Sequence, residues 1–242
     1  HAGTAADVHQ PLLQLRAGGI HLCKAGREDL DHAHALLCAL QQRRLDAGHR
    51  YAVLEMGTNH VGEIAPLSRL VRPHVSIITT VDAVHIEHFH SVEAIADEKA
   101  AIFEGMGGSG VAVLNADNAH FEQLRQHAQA KGMDRVLSFG TSPKALCRMV
   151  RYAIDDTHSV VEAVIAGTSM QYTIGTLGKH WALMSVAVLG VVDALRGDLA
   201  KAAAALANFH EPKGRGQIKK LSVKGGNLRL IDDSYNASPI SV

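Results

Sequence analysis

The sequence predicts an α/β fold: a mostly parallel, doubly wound sheet flanked by helices, with a small antiparallel β-layer attached. Three observations predict it. Short apolar runs alternate with helix-period segments between Tyr51 and Phe139. Three of those runs end in carboxylate, imidazole or amide side chains, as strands do where they reach the ligand-binding rim of an open sheet. After Pro143 the pattern changes to alternating β-branched segments with no helix between them.

In chain order, residues 1–50 contain no convincing strand, and only 29–42 carry a helical stripe, through Leu30, Ala33, Leu37 and Leu40. The apolar run 51–54 ends in Glu55 and reads as a strand over 51–55, followed by a Gly-containing loop and a helix over 62–70. A strand over 74–80 leads to Asp82 and His85, and a helix follows near 91–105 with Ser91 at its N-cap. A strand over 110–114 delivers Asn115, Asp117 and Asn118; a helix near 118–131 and a strand over 135–139 complete the alternation. Residues 148–155, 160–166 and 170–174 read as antiparallel strands. Helices over 180–195 and 199–209 come next, then a loop over 211–216 with Lys213 and Arg215. A hairpin over 217–223 and 228–231 leads to Asp232 and Asp233, after which Ser-Tyr-Asn-Ala-Ser-Pro reads as a linker.

With 242 residues, the chain has room for one large domain. Its 47% hydrophobic and 20% charged residues, without low-complexity tracts, predict a folded protein. The 24 basic and 24 acidic residues cancel, which gives no electrostatic footprint for nucleic acid. Three cysteines without a CxxC spacing do not make an even disulfide set, so a reducing cytoplasm is expected. No apolar run is long enough for membrane insertion, and no signal peptide is evident.

Buried strands do not tolerate an ionised carboxylate unless it is paired, metal-bound or solvated, which places Glu55 at a strand's C-terminal edge. Glu55 and His85 form a candidate metal pair. Mg²⁺ prefers carboxylates, however, and three histidines lie between Asp82 and His90, so spacing alone does not select one. Lys99 falls within the stripe Val92, Ile95, Ala96, Ile102, Phe103 and Met106, while Glu93, Asp97 and Glu104 face the other way. A lysine there snorkels, pairs with an acid or loses its proton. The neutral amine adds carbon dioxide to give a carbamate that ligates hard cations. Arg215, on a Gly-flanked loop, suits phosphate or carboxylate recognition or stands as an exposed cation. Asp233 holds a ribose hydroxyl or caps a turn.

Together these residues carry a resemblance. The segments EMGTNHVGEI (55–64), His85-Ile-Glu-His-Phe-His-Ser running into Asp97-Glu-Lys99-Ala-Ala-Ile-Phe, Gly178-Lys-His180, Pro212-Lys-Gly-Arg215 and Ile231-Asp-Asp-Ser-Tyr-Asn-Ala-Ser-Pro239 resemble the Mur ligases. The likeness runs in order from about residue 50 to 242 and is nearest to the family member that adds D-Ala-D-Ala to UDP-N-acetylmuramoyl-tripeptide. It implies a P-loop NTPase-like central domain over 51–232, a linker over 233–242, and N- and C-terminal Mur ligase domains that lie outside this chain. It also implies ATP and Mg²⁺ as cofactors and an ADP-forming amide ligation through an acyl phosphate, in cytoplasmic peptidoglycan synthesis. By resemblance Glu55 and His85 hold the second Mg²⁺ with a carbamylated Lys99, Asn59 and His60 lie near the substrate, and His180, Arg215, Asp233 and Asn115 contact ATP.

Two departures shape the expectation. Residues 1–50 lack the glycine-rich Gly-Lys-Thr or Gly-Lys-Ser loop that cradles phosphates, and Trp181 and Met184 stand where the family places adenine-reading asparagines. The chain alone is therefore expected to be inactive. The sharp onset of likeness at Arg50 suggests a shifted reading frame upstream, which translating the coding DNA in the other two frames tests. The alternatives are a degenerate non-catalytic domain, which loss of the phosphate loop supports for the chain alone, or a folylpolyglutamate or poly-γ-glutamate type ligase, over which the EMGTNH segment and the linker favour the D-Ala-D-Ala-adding member.

Overall fold

The computed structural model describes residues 19–23, 50–83, 86–155, 157–232 and 234, with only the backbone described at 19–23 and 218–220. An eight-stranded sheet runs in the order β2-β1-β3-β4-β5-β6-β7-β8. Its strands are β1 (Gly19–Cys23), β2 (Ala52–Met56), β3 (Val75–Ile78), β4 (Val111–Asn115), β5 (Arg135–Gly140), β6 (Cys147–Ile154), β7 (Ser159–Ile165) and β8 (Thr168–Ile174). Strands β3 to β6 are parallel, and β7 and β8 continue antiparallel. The predicted helix over 29–42 lies outside the described residues.

One expectation is corrected. Residues 19–23, where no strand was evident, form β1, inserted between β2 and β3 and antiparallel to both. Two antiparallel steps restore direction, so β2 runs parallel to β3 and their C-terminal ends share a rim with those of β4 and β5.

The sheet is covered on both faces, as its continuous apolar strands require. One face carries α1 (Ile64–Val71), α2 (Ile86–Phe89), α3 (Val92–Ala100), a 3₁₀ turn (Ala101–Gly105) and α4 (Phe121–Ala130). Their core joins Leu54, Ile78, Leu114, Phe103 and Leu124. The other face carries α5 (Lys179–Ala194) and α6 (Leu199–Leu206), with Ile77, Val113, Phe139, Ile165 and Leu189 between. Ser91 caps α3 by accepting from the Ala94 N–H at 3.1 Å, as its position predicts. Asp198 caps α6 in the same way through Lys201 N–H.

The antiparallel layer is part of the main sheet. Only Phe139–Cys147 and Gly140–Arg148 pair between β5 and β6, so β6 continues past the end of β5. From Cys147 to Ile154 it rises roughly 20 Å above the rim. Ile154 is level with Ser159 and Ser159 with Ile174, so β8 ends at that height and α5 starts there before returning down the sheet. The last two strands, β9 (Gln217–Val223) and β10 (Gly226–Asp232), form a separate hairpin.

Candidate functional site

The rim has two regions. The first surrounds the end of β2. Glu55 is the penultimate residue of that strand, on the face opposite Leu54 and Met56, and partly buried. The loop 57–63 that follows is organised by two carboxylates. Glu63 closes it from within: Glu63 Oε2 accepts from Asn59 N–H at 2.8 Å, His60 N–H at 3.2 Å and the Thr58 hydroxyl at 3.2 Å. The Asn59 N–H, first among these donors, holds the Glu63 carboxyl below its ordinary range. Glu98 grips the loop from outside. Its two oxygens accept from Gly62 N–H at 2.7 Å and Ile64 N–H at 2.8 Å.

His60 stands 3.3 Å from Glu63 Oε1, and its ring lies 4.6 Å from the His88 ring of α2. Of the two histidines between Asp82 and His90 whose placement is described, His88 is therefore the one against the EMGTNH loop. His85 lies outside the described residues, as does Asp233. Lys99 is partly buried on α3, and burial lowers the pKa of its amine, with no charge contributing among the described residues. That matches its place in the apolar stripe.

Between the two regions, asparagines at the end of β4 fasten the loop that follows β3. The Asn115 amide donates to Thr79 C=O at 3.0 Å, while its oxygen accepts from Asp117 N–H at 2.9 Å. Asn118 donates to Val81 C=O at 2.9 Å. Asp117 accepts from the Thr141 N–H and hydroxyl and from Ser142 N–H at 2.7–3.0 Å, and so ties the end of β4 to the end of β5. A Cβ on Gly140 would lie 2.7 Å from Asp117 Oδ1, so this approach needs glycine.

The second region is the wall formed by the antiparallel strands. Gly178, at φ 130°, donates its N–H to Tyr152 Oη at 3.1 Å, and α5 starts from there. His180 is exposed in its first turn, with its ring 5.0 Å from that of buried Trp181, which stacks on Phe209 at 5.1 Å. His210 meets Gly175 C=O at 3.1 Å, bringing the loop that carries Arg215 beside the α5 start. Gly216 N–H donates to Asp232 C=O at 2.9 Å, which sets Arg215 at the base of the hairpin. Five strand spacings separate β2 from β6, roughly 24 Å across the sheet. Glu55, Asn59, His60 and Lys99 thus belong to one end of the rim, and His180 and Arg215 to the other.

Sequence reasoning missed Glu63 and Glu98, the two acids that shape the loop. The signal for Glu98 was present: it lies three residues after Ile95 and four before Ile102, on the buried stripe. Among the described residues no group of three or more His, Cys, Asp and Glu side chains stands ready to hold a metal.

A family model, the Mur ligase middle domain, matches residues 18–192. The chain belongs to the Mur ligase family. It is 32% identical over 192 residues to the UDP-N-acetylmuramoyl-tripeptide–D-alanyl-D-alanine ligase of Rickettsia prowazekii, covering 79% of this chain and 42% of that protein. The Escherichia coli enzyme of the same name is 31% identical over 204 residues, covering 81% and 42%. The crystal structure of MurF from Acinetobacter baumannii superposes with a TM-score of 0.72 at 25% identity, over 81% of this chain and 42% of that one. The chain thus spans about two-fifths of the length of these relatives.

Proposed function

We propose that this chain is the ATP-handling middle domain of an ADP-forming amide ligase that joins D-Ala-D-Ala to UDP-N-acetylmuramoyl-tripeptide in peptidoglycan synthesis. The observation that carries the reading is Lys99, a partly buried lysine whose pKa burial lowers, next to Glu98, which grips the end of the loop that follows β2. A neutral amine attacks carbon dioxide, forms an N–C bond and sheds a proton, which leaves a carbamate anion. In the full enzyme Glu55, His85 and that carbamate would hold Mg²⁺, which when bound neutralises phosphate oxygens.

The remaining roles come from the resemblance, and the positions of the described residues support them. Asn59 and His60, on the doubly anchored loop, meet the peptide substrate. His180 and the ring pair Trp181–Phe209 flank the nucleotide base, and Arg215, on its loop at the base of the hairpin, meets phosphate. Asp233 meets the ribose. Asn115 contacts ATP at the end of β4 while its amide holds the Thr79 carbonyl. In the full enzyme, N- and C-terminal Mur ligase domains would supply the other walls of the site.

The test is calorimetry with Mg-ATP followed by phosphate release with the muramyl tripeptide and D-Ala-D-Ala. Without a phosphate loop, each lost N–H donor removes about 1.5–3 kcal/mol, so binding weaker than micromolar and no turnover are expected. Tight binding or turnover overturns the view that the phosphate cradle is missing from residues 1–50.

A further inference from the structure

We infer that Glu98 is a positioning residue that locks the loop 57–63, and through it Asn59 and His60, to the helix that carries Lys99. The inference deepens the proposed function, since the loop's meaning as a substrate contact rests on that reading. Glu98 is 5% exposed, in the last turn of α3. A buried carboxylate is costly unless its oxygens are satisfied. Both are: one accepts from Gly62 N–H at 2.7 Å and the other from Ile64 N–H at 2.8 Å. These two amides flank Glu63, the N-cap of α1, whose own side chain makes no cap bond to the helix because it turns back to Thr58, Asn59 and His60. Glu98 therefore does from another helix what the local cap leaves undone, and its charge meets the positive end of α1.

The consequence is geometric. With Glu98 in place, the loop is held at its far end by α3 and from within by Glu63, so His60 is presented to His88. Without it, Gly62, at φ 92°, becomes a free pivot between the loop and α1. Glu98 and Lys99 are adjacent on α3, so the same helix sets the loop and carries the amine.

The test is NMR on the chain itself. In the unmodified protein, through-hydrogen-bond couplings are expected from the Gly62 and Ile64 amide nitrogens to the Glu98 carboxyl carbon, and both amides should exchange slowly. Glu98→Gln keeps one acceptor oxygen and Glu98→Ala keeps none. Exchange at the two amides should rise about tenfold or more in the glutamine variant and further in the alanine variant. The His60–His88 ring contact should weaken in the same order, while amides of Val113 and Leu114 keep their protection. Absent couplings with fast exchange in the unmodified protein overturn the inference even if no variant folds. So does a His60–His88 contact that survives Glu98→Ala in a folded chain. No nucleotide or peptide enters the measurement, so failure of the ligase reading and failure of this inference are read separately.

Discussion

Gly178→Ala tests the α5 end of the rim most directly. Gly178 sits at φ 130°, a conformation that L side chains rarely adopt, and such strain costs about 1–3 kcal/mol. The added Cβ would also meet His180 Cε1 at 2.9 Å, His180 Nδ1 at 3.1 Å and Trp181 Cδ1 at 3.3 Å. His180 is exposed and swings away, so that overlap costs less energy than geometry; Trp181 is 6% exposed and packed on Phe209, so it yields less freely. A loss of about 2 kcal/mol is expected from the strain alone. With an m-value of about 2 kcal/mol per molar urea, the midpoint should fall by about 1 M. Trp181 is the only tryptophan of the chain, which makes its fluorescence a local reporter of the α5 start. The variant should shift the native-state emission as well as the midpoint. Gly167→Ala is the control: it has φ 93° but no atom within 4 Å of the new Cβ, so it should lose stability without changing Trp181 emission. A Gly178→Ala protein with the parent's midpoint and emission would refute both the strain and the contact between the helix start and His180.

Three further outcomes are expected. Lys99 has a folded-state pKa below that of the unfolded chain, so the unfolded state binds more protons in the window between the two values; stability should climb with pH through that window, and Lys99→Met should flatten the climb and stabilise the protein below it, read by urea midpoints across pH. Adding ¹³C-bicarbonate should give a carbamate signal that Lys99→Met abolishes. Gly105→Ala would drive a Cβ into the Ser68 carbonyl, against backbone that cannot step aside, so it should cost about 3 kcal/mol or more, measured by thermal unfolding, and a neutral result would contradict the packing of the 3₁₀ turn on α1.

The strands and helices from Tyr51 onward were legible because each has a period and a punctuation mark. Ser91 announces α3, and the apolar runs that become β3 and β4 are bounded by polar residues. Strand β1 was not legible. Five residues, Gly-Ile-His-Leu-Cys, carry too little pattern, and their pairing with β2 and β3 is decided by partners far along the chain. The antiparallel layer was legible as strands but not as a continuation of the sheet. A short loop after β5 cannot make a parallel crossover, yet it can set β6 beside the last two residues of β5 and let it run on.

The candidate site divides along the same line. Residues that stand out by type were found from sequence, because a lysine in an apolar stripe and a carboxylate at a strand end break a local rule. Residues that act by reaching another segment were not. The resemblance makes Asn115 an ATP contact, and the bond from its amide to Thr79 is a further role that the sequence does not show. Glu98 was passed over because α3 carries other acids that do face outward: Glu93 and Asp97 are exposed. Helical position separates them, since Glu98 falls between Ile95 and Ile102 on the buried side. A buried acid on a helix stripe is thus as informative as a buried lysine, and here the two are consecutive. That adjacency puts the anchor of the loop 57–63 and the amine on one turn of α3.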